Sequence, residues 1–431
     1  MNTTREQSKS PWRWVPSLYF AEGLPYVTVM SISVILFKRF GLSNTDIAFY
    51  SSWLYLPWTL KFLWSPLVDL LKTKRWWIVS TQLIIGATLA GVALSLPTPH
   101  WFQASMAFFW LMAFSSATHD IAADGFYMLD LSESKQAFFI GIRNTFYRLA
   151  MITGQGLLVI LAGILEERFD NIPKAWTLIF YLLAAGFFLF GLYHAAQLPK
   201  PSSDAVQPKR KGKEMLNAFW ETFFTFFKKK GSFVAILFIL FYRFSEAQLV
   251  KLSSPFLLDE RSVGGLGLST TEVGSVYGVV GVAALVAGGL LGGIAISRNG
   301  LRFWLWPMAL LLSLPNFVYV YFAWAQPVSL WIIYAGVALE QFGYGFGFTA
   351  FTMFMMLFSK GKHQTAHYAL CTAIMALGMM LPGMLSGAVQ AHLGYLNFFL
   401  YIGLSTLVTF FVVSLIRPLL REHPHKADNN I

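Results

Sequence analysis

Apolar residues run through this chain in long blocks. Stretches of 20 or more residues with few charges recur from residue 14 to residue 417, separated by short polar turns. A helix needs about 20 consecutive apolar residues to cross a bilayer core of about 30 Å. The pattern predicts helical spans over 14–38, 45–69, 76–97, 102–128, 137–164, 175–197, 232–257, 271–296, 302–324, 328–358, 365–390 and 396–417. One longer polar interval divides the series after the sixth span, and it carries Lys209-Arg210-Lys211-Gly212-Lys213 and Lys228-Lys229-Lys230. The expected fold is therefore an all-α polytopic membrane protein with 12 transmembrane helices in two six-helix bundles. The bundles are expected over 1–197 and 232–431, joined by a basic cytoplasmic linker at 198–231.

Composition sharpens this picture. Of 431 residues, 56% are hydrophobic and only 12% are charged, so no interval is left for a soluble domain. The formal net charge of +11 is distributed by side of the membrane. With the N-terminus inside, Arg5, Lys9, Arg13, Lys72, Lys74, Arg75, Lys135, the central cluster, Arg298, Arg302, Lys360, Lys362, Arg417, Arg421 and Lys426 all fall on the cytoplasmic side. The opposite side keeps Lys38, Arg39, Arg168, Lys174 and Arg261. Cytoplasmic loops collect Lys and Arg, so both termini are expected in the cytoplasm and the charge argues for topology, not nucleic acid. The polar first 13 residues lead straight into a full-length span, so no cleaved signal peptide is expected. Cys371 is the sole cysteine, which excludes an internal disulfide.

Pump and enzyme chemistry find no support. Gly212-Lys213 and Gly361-Lys362 lack both the following Ser or Thr and the earlier Gly of a phosphate loop. There is no Gly-x-Ser-x-Gly and no His-Glu-x-x-His, and no metal-ligand spacing, so neither a metal nor another cofactor is expected.

The chemistry must then lie in the charges inside the spans, each of which costs at least about 2.5–3.5 kcal/mol at bilayer centre. Glu22 lies about 13 Å, and Lys61 about 12 Å, from the cytoplasmic ends of their spans at 1.5 Å per residue. Matching depth predicts a Glu22–Lys61 pair. Asp120 and Asp124, four residues apart, share one helical face. Two carboxylates so close resist joint ionisation, so Asp120 or Asp124 is a candidate proton carrier, with Glu22 as competitor. Arg143 and Arg148 enter the next span at the depths of Asp124 and Asp120. His119 points about 100° away from Asp120, which leaves open a packing role or a functional one.

In the second half, Arg243, Glu246 and Lys251 share one span, and Glu340-Gln341 lie mid-depth in another. Arg243 is expected either to neutralise Glu340 or to hold a substrate carboxylate, which a planar guanidinium does in bidentate fashion. Among Trp53, Tyr55, Trp58 and Trp64, Trp58 is nearest mid-depth and is the candidate for stacking on a sugar ring. Phe20-Ala21-Glu22 and Phe244-Ser245-Glu246 echo each other in the first and seventh spans, as two structural repeats would.

Several stretches are more specific. Lys61-Phe62-Leu63-Trp64-Ser65-Pro66-Leu67-Val68-Asp69, the run from Ser115 through His119-Asp120 to Asp124, Tyr147-Arg148-Leu149, and Thr365-Ala366-His367-Tyr368-Ala369-Leu370 occur in this order. In order and spacing they resemble the AmpG-type muropeptide permeases, a branch of the major facilitator superfamily related to acetyl-CoA transporters. The chain departs from that family at Asp124-Gly125-Phe126-Tyr127, where Asp-Ala-Trp is usual, and at Arg243 and Glu246, where Lys and Asp are usual. The resemblance implies a non-enzymatic, proton-coupled importer in the bacterial inner membrane. Its cargo would be GlcNAc-anhydroMurNAc, with or without a stem peptide, moved from periplasm to cytoplasm by alternating access. Other di- or oligosaccharides, or an anionic metabolite such as acetyl-CoA, are the alternatives. A monomer is expected, with the lipid bilayer, protons and an amino-sugar fragment as partners. Asp69 and Arg75 occupy the loop that carries the gating motif in this superfamily.

Overall fold

The computed structural model describes residues 10–201, 204, 220, 223–361 and 364–421. The predicted linker at 198–231 lies for the most part outside them. Every predicted span is helical, and no strand occurs among the described residues. The interruptions fall where side chains demand them.

In α1 (Val15–Val27), Pro25 has no N–H to offer Ala21, and the chain passes through a wider π-type stretch, Thr28–Ile32, into α2 (Ser33–Arg39). Ser43 opens α3 (Asn44–Trp53), its hydroxyl accepting from the Asp46 N–H at 3.1 Å. A turn at Leu54-Tyr55 then separates α3 from α4 (Leu56–Leu71), so the span expected as one piece over 45–69 is broken. Thr73 caps α5 (Lys74–Ser95). Asp204, from beyond the sixth span, adds a carboxylate to that helix end, accepting from the Lys74 N–H at 2.7 Å and the Arg75 N–H at 3.0 Å. There follow α6 (Trp101–Asp130), α7 (Glu133–Met151), a π-type stretch at Ile152–Leu158, α8 (Val159–Phe169) and α9 (Ile172–Gln197).

The second half begins with α10 (Ser232–Phe241) and α11 (Phe244–Leu258), parted at Arg243. α12 (Thr270–Val273) leads through a π-type stretch, Gly274–Gly281, into α13 (Val282–Asn299). Then come α14 (Leu301–Ser313), α15 (Phe317–Ala325), α16 (Leu330–Ser359) and α17 (Gln364–Ile416). α17 covers two predicted spans and turns at Gly394, whose φ of 71° suits glycine alone. By length and composition, nine helical stretches among the described residues suffice to cross a membrane. The broken α3–α4 and the charge-bearing α6 are not among the nine, and α17 is counted once.

The helices form two compact units. Unit 1 comprises 1–41, 60–210 and 269–278, and unit 2 comprises 42–59, 211–268 and 279–431. Each half of the sequence thus lends a segment to the other unit: α3 belongs to unit 2 and α12 to unit 1. Close backbone contact holds both. In unit 1 a Cβ at Gly278 would strike the Gln155 carbonyl, and in unit 2 a Cβ at Gly387 would strike the backbone of Asn44 and Thr45.

Candidate functional site

Unit 1 gathers its membrane-depth charges where α1, α4, α6 and α7 meet. Glu22 is carried by α1 beside Gly23, where a Cβ would lie 2.9 Å from the Ala150 side chain and 3.0 Å from the Tyr147 carbonyl oxygen. The missing side chain lets α1 approach α7 closely and fixes the depth of Glu22. Asp120 and Asp124 share a face of α6, as their spacing requires. Asp120 is salt-bridged to Lys61 of α4. One turn along, Trp64 Nε1 donates to Thr118 Oγ1 at 3.2 Å and holds the same two helices together. Asp124 accepts from Arg143 at 2.9 Å and from the Tyr19 hydroxyl at 3.0 Å. The Arg143 guanidinium also lies 4.3 Å from the Tyr19 ring centroid and 5.3 Å from that of Tyr127, where an aromatic face attracts a cation.

Lys61 therefore pairs with Asp120 in place of the expected Glu22, because its four-carbon arm extends to the α6 carboxylate. Glu22 lies close enough to Asp120 and Asp124 for both carboxylates to act on it electrostatically. Glu22 is 7% exposed, and among the described residues its Oε2 has no hydrogen-bond partner. The cluster thus sets three carboxyls (Glu22, Asp120, Asp124) against two cations (Lys61, Arg143), with both cations taken by the aspartates.

His119 turns away from this cluster. Its Nε2 lies 2.9 Å from Gln82 Nε2, Gln82 Oε1 lies 2.9 Å from His194 Nδ1, and His194 Nε2 lies 3.0 Å from Ser17 Oγ. This buried polar chain ties α6, α5, α9 and α1 together, which is the packing role. Arg148 contacts Met151 Sδ at 3.8 Å and makes no salt bridge with Asp120, whose partner is Lys61. Arg75 caps the C-terminus of α9, donating to the carbonyls of Ala195 and Leu198, where a cation complements the helix dipole. The side chain of Asp69 lies outside the described residues.

In unit 2, Arg243 NH2 donates to Glu246 Oε1 at 3.2 Å and to the Tyr344 hydroxyl at 2.6 Å. Its guanidinium is 4.7 Å from the Tyr344 ring centroid and 4.9 Å from that of Phe348. The expected Arg243–Glu340 pair is replaced by this local one, since Glu246 is a single turn away on the same helix. Glu340 instead accepts from Gln341 Nε2 at 2.9 Å. Lys251, two turns further along α11, donates to Ser51 Oγ at 3.0 Å. Trp58 is half-buried and belongs to the segment grouped with unit 2. Among the described residues, no three His, Cys, Asp or Glu side chains are grouped to hold a metal ion.

Two polar hubs have no counterpart among the expected residues. In unit 1, Glu166 is salt-bridged to Arg39 at 2.9 Å and accepts from Trp176 Nε1 and Thr270 Oγ1, each at 2.7 Å. In unit 2, Asn44 Nδ2 donates to the Tyr395 hydroxyl at 2.8 Å and to Gln390 Oε1 at 2.9 Å, and that hydroxyl donates to Asp259 at 2.5 Å. Glu166 stands in Glu166-Glu167-Arg168, which reads as a solvated helix end, so no local signal betrays it. The tyrosines that cage the arginines were open to notice, since Tyr127 follows Asp124 by three residues and Phe348 follows Tyr344 by four.

The family signature of the Major Facilitator Superfamily matches residues 17–366. The chain is 27% identical to the anhydromuropeptide permease of Escherichia coli K12 over 395 residues, which is 89% of this chain and 75% of that one. It is 25% identical to the putative transporter AmpG 4 of Rickettsia conorii over 410 residues, covering 92% and 94%. A bacterial homologue of the human lysosomal transporter Spinster, solved inward-facing and unoccupied, superposes with a TM-score of 0.69 at 16% identity, over 96% of this chain and 97% of that one. At that identity the last likeness speaks for the fold alone. Each of these is named for transport, as a permease or a transporter. The chain belongs to the Major Facilitator Superfamily, in its AmpG-type branch.

Proposed function

We propose that this multi-pass membrane transporter couples proton entry to the import of peptidoglycan fragments. The cargo is GlcNAc-anhydroMurNAc, with or without a stem peptide, moved from periplasm to cytoplasm by alternating access. The observation that carries the coupling is the approach of Glu22 to Asp120. Like charges held this close and away from water resist joint ionisation, so one carboxyl of the three is the natural seat of a proton. Lys61 holds Asp120 and Arg143 holds Asp124, which leaves Glu22 to carry that proton. Asp120 and Asp124 are its coupling partners: a change in either ion pair alters the field at Glu22 and frees the proton. One proton moving down 100 mV supplies about 2.3 kcal/mol, enough for a roughly 50-fold accumulation.

The name of the Escherichia coli relative supports the cargo. The charge asymmetry of the loops supports twelve spans in two six-helix bundles, both termini in the cytoplasm, and an inner-membrane location. The protein is taken to act as a monomer, with Trp58 stacking on the sugar and Asp69 and Arg75 serving the gate.

The test is uptake of labelled GlcNAc-anhydroMurNAc into proteoliposomes, with and without an inward proton gradient. Accumulation only with the gradient supports both parts. Equal uptake without it refutes the coupling. No uptake, beside transport of ordinary disaccharides in the same vesicles, refutes the cargo.

A further inference from the structure

Lys251 is a buried cation that the coupling cluster does not use. It is 2% exposed, and among the described residues no carboxylate lies within salt-bridge distance of it. Its ammonium has one hydrogen bond, to Ser51 Oγ at 3.0 Å, and lies 4.9 Å from the Tyr55 ring centroid. An ammonium offers three donors, and among the described residues only one of them has a partner. A charge at this depth costs at least about 2.5–3.5 kcal/mol, and one hydroxyl with one ring face returns only part of it.

The surroundings are built for a polar guest. Ser51 and Ser52 are both wholly buried, and among the described residues Ser52 Oγ has no hydrogen-bond partner. Gly383 packs tightly against both side chains: a Cβ there would lie 3.0 Å from Ser52 Oγ and 3.2 Å from Lys251 Cγ. Lys251, bonded to Ser51, and the hydroxyl of Ser52 thus both pack against Gly383 within unit 2. Arg243 is less suited to the same task, because Glu246, Tyr344 and Phe348 already enclose its guanidinium.

We propose that Lys251 binds the carboxylate of the transported substrate, with Ser52 donating beside it, and that Ser51 fills that place when no substrate is present. The assignment deepens the function proposed above and rests on it for the peptide-free cargo, whose lactyl ether carries a free carboxylate; a stem peptide would hold that carboxyl as an amide. An ammonium and a carboxylate form a charge-assisted hydrogen bond about twice as strong as a neutral one. In a water-free site it discriminates an acid from its uncharged amide.

Uptake of GlcNAc-anhydroMurNAc and of its lactyl carboxamide is measured in proteoliposomes for the wild type, Lys251→Met, Lys251→Gln and Lys251→Arg. The wild type is expected to show a KM for the acid about 10–100-fold below that for the amide. Lys251→Met raises the acid's KM to the amide's and leaves the amide's unchanged, while Lys251→Arg keeps the preference. Lys251→Gln, which retains the bond to Ser51, gives the same equalisation and stands in if Lys251→Met does not fold. Equal loss of both compounds in Lys251→Gln, or an undiminished preference for the acid, overturns the assignment. If the wild type takes up neither compound, the cargo reading fails and the site is judged on lactate against lactamide. Thermal stabilisation of the wild type by lactate alone, absent in Lys251→Gln, upholds it; no such difference overturns it.

Discussion

Lys61 of α4 is bonded to Asp120 of α6, and Glu22, at matching depth on α1, has no salt bridge of its own among the described residues. Breaking a fully buried ion pair from one side costs about 3–5 kcal/mol, whereas removing both partners is often nearly neutral. Lys61 and Asp120 keep 30% and 18% of their side-chain surface exposed, which lowers the expected cost to about 1–3 kcal/mol. Lys61→Met and Asp120→Asn should each lower the melting temperature in detergent, and the double variant should recover most of the loss. A double variant no more stable than the worse single one would contradict the pairing.

Glu22→Gln keeps the size of the side chain and the capacity to donate a hydrogen bond, but it cannot release a proton. Exchange of labelled for unlabelled cargo across the membrane should persist near the wild-type rate. Gradient-driven accumulation should fall at least tenfold, equivalent to about 1.4 kcal/mol of lost coupling. Accumulation at the wild-type level would remove Glu22 from the proton path and return the role to Asp124.

Glu166 accepts from Arg39, Trp176 and Thr270 and thereby joins α8 to α2, α9 and α12. Glu166→Ala should destabilise the protein by about 2–4 kcal/mol, since it strands two buried donors and a cation. Arg39 is 31% exposed and can turn to water, so Arg39→Met should cost about 1 kcal/mol or less. Thermal melts of the two variants give the comparison, and a larger effect from Arg39→Met would show that the hub is not centred on Glu166.

Asp130 closes α6 beyond the predicted span, with a buried Oδ2 that has no partner among the described residues. Burial holds its carboxyl above the usual range, by more than Lys135 lowers it. A carboxyl whose pKa is higher folded than unfolded contributes stability that is complete below its unfolded pKa, near pH 4, and lost as pH rises through the folded value. The negative charge then also opposes the dipole at a helix C-terminus. Asp130→Asn should match the wild type at about pH 4 and melt higher at about pH 7. Identical melting curves at both values would place no stress on Asp130.

The two arginines show where a sequence repeat reaches into structure. Arg143 is held by Asp124 and lies over Tyr19 and Tyr127, and Arg243 is held by Glu246 and lies over Tyr344 and Phe348. The echo between Phe20-Ala21-Glu22 and Phe244-Ser245-Glu246 marked α11, beside Arg243, but in unit 1 the arginine and its acid lie on α7 and α6, and α1 contributes Tyr19.

Helices and candidate charges could be read from the order of residues because lipid permits little else. A backbone in hydrocarbon must satisfy its own N–H and C=O groups, so a long apolar run is a helix, and a charge within it stands out against its cost. The common face of Asp120 and Asp124 follows from 3.6 residues per turn. Partnership does not follow. Depth along a helix is one coordinate, and the rotation of α4 and α6 about their axes, which packing sets, turns Lys61 toward Asp120 instead of Glu22. Arg243 likewise took Glu246 one turn away, leaving Glu340 to Gln341. The grouping of α3 with unit 2 and of α12 with unit 1 depends on backbone contacts at Gly387 and Gly278 between segments hundreds or scores of residues apart. Glu166 and Lys251 acquire their meaning in the same way: the chain shows a charge, and only the neighbours folded around it decide whether that charge is answered.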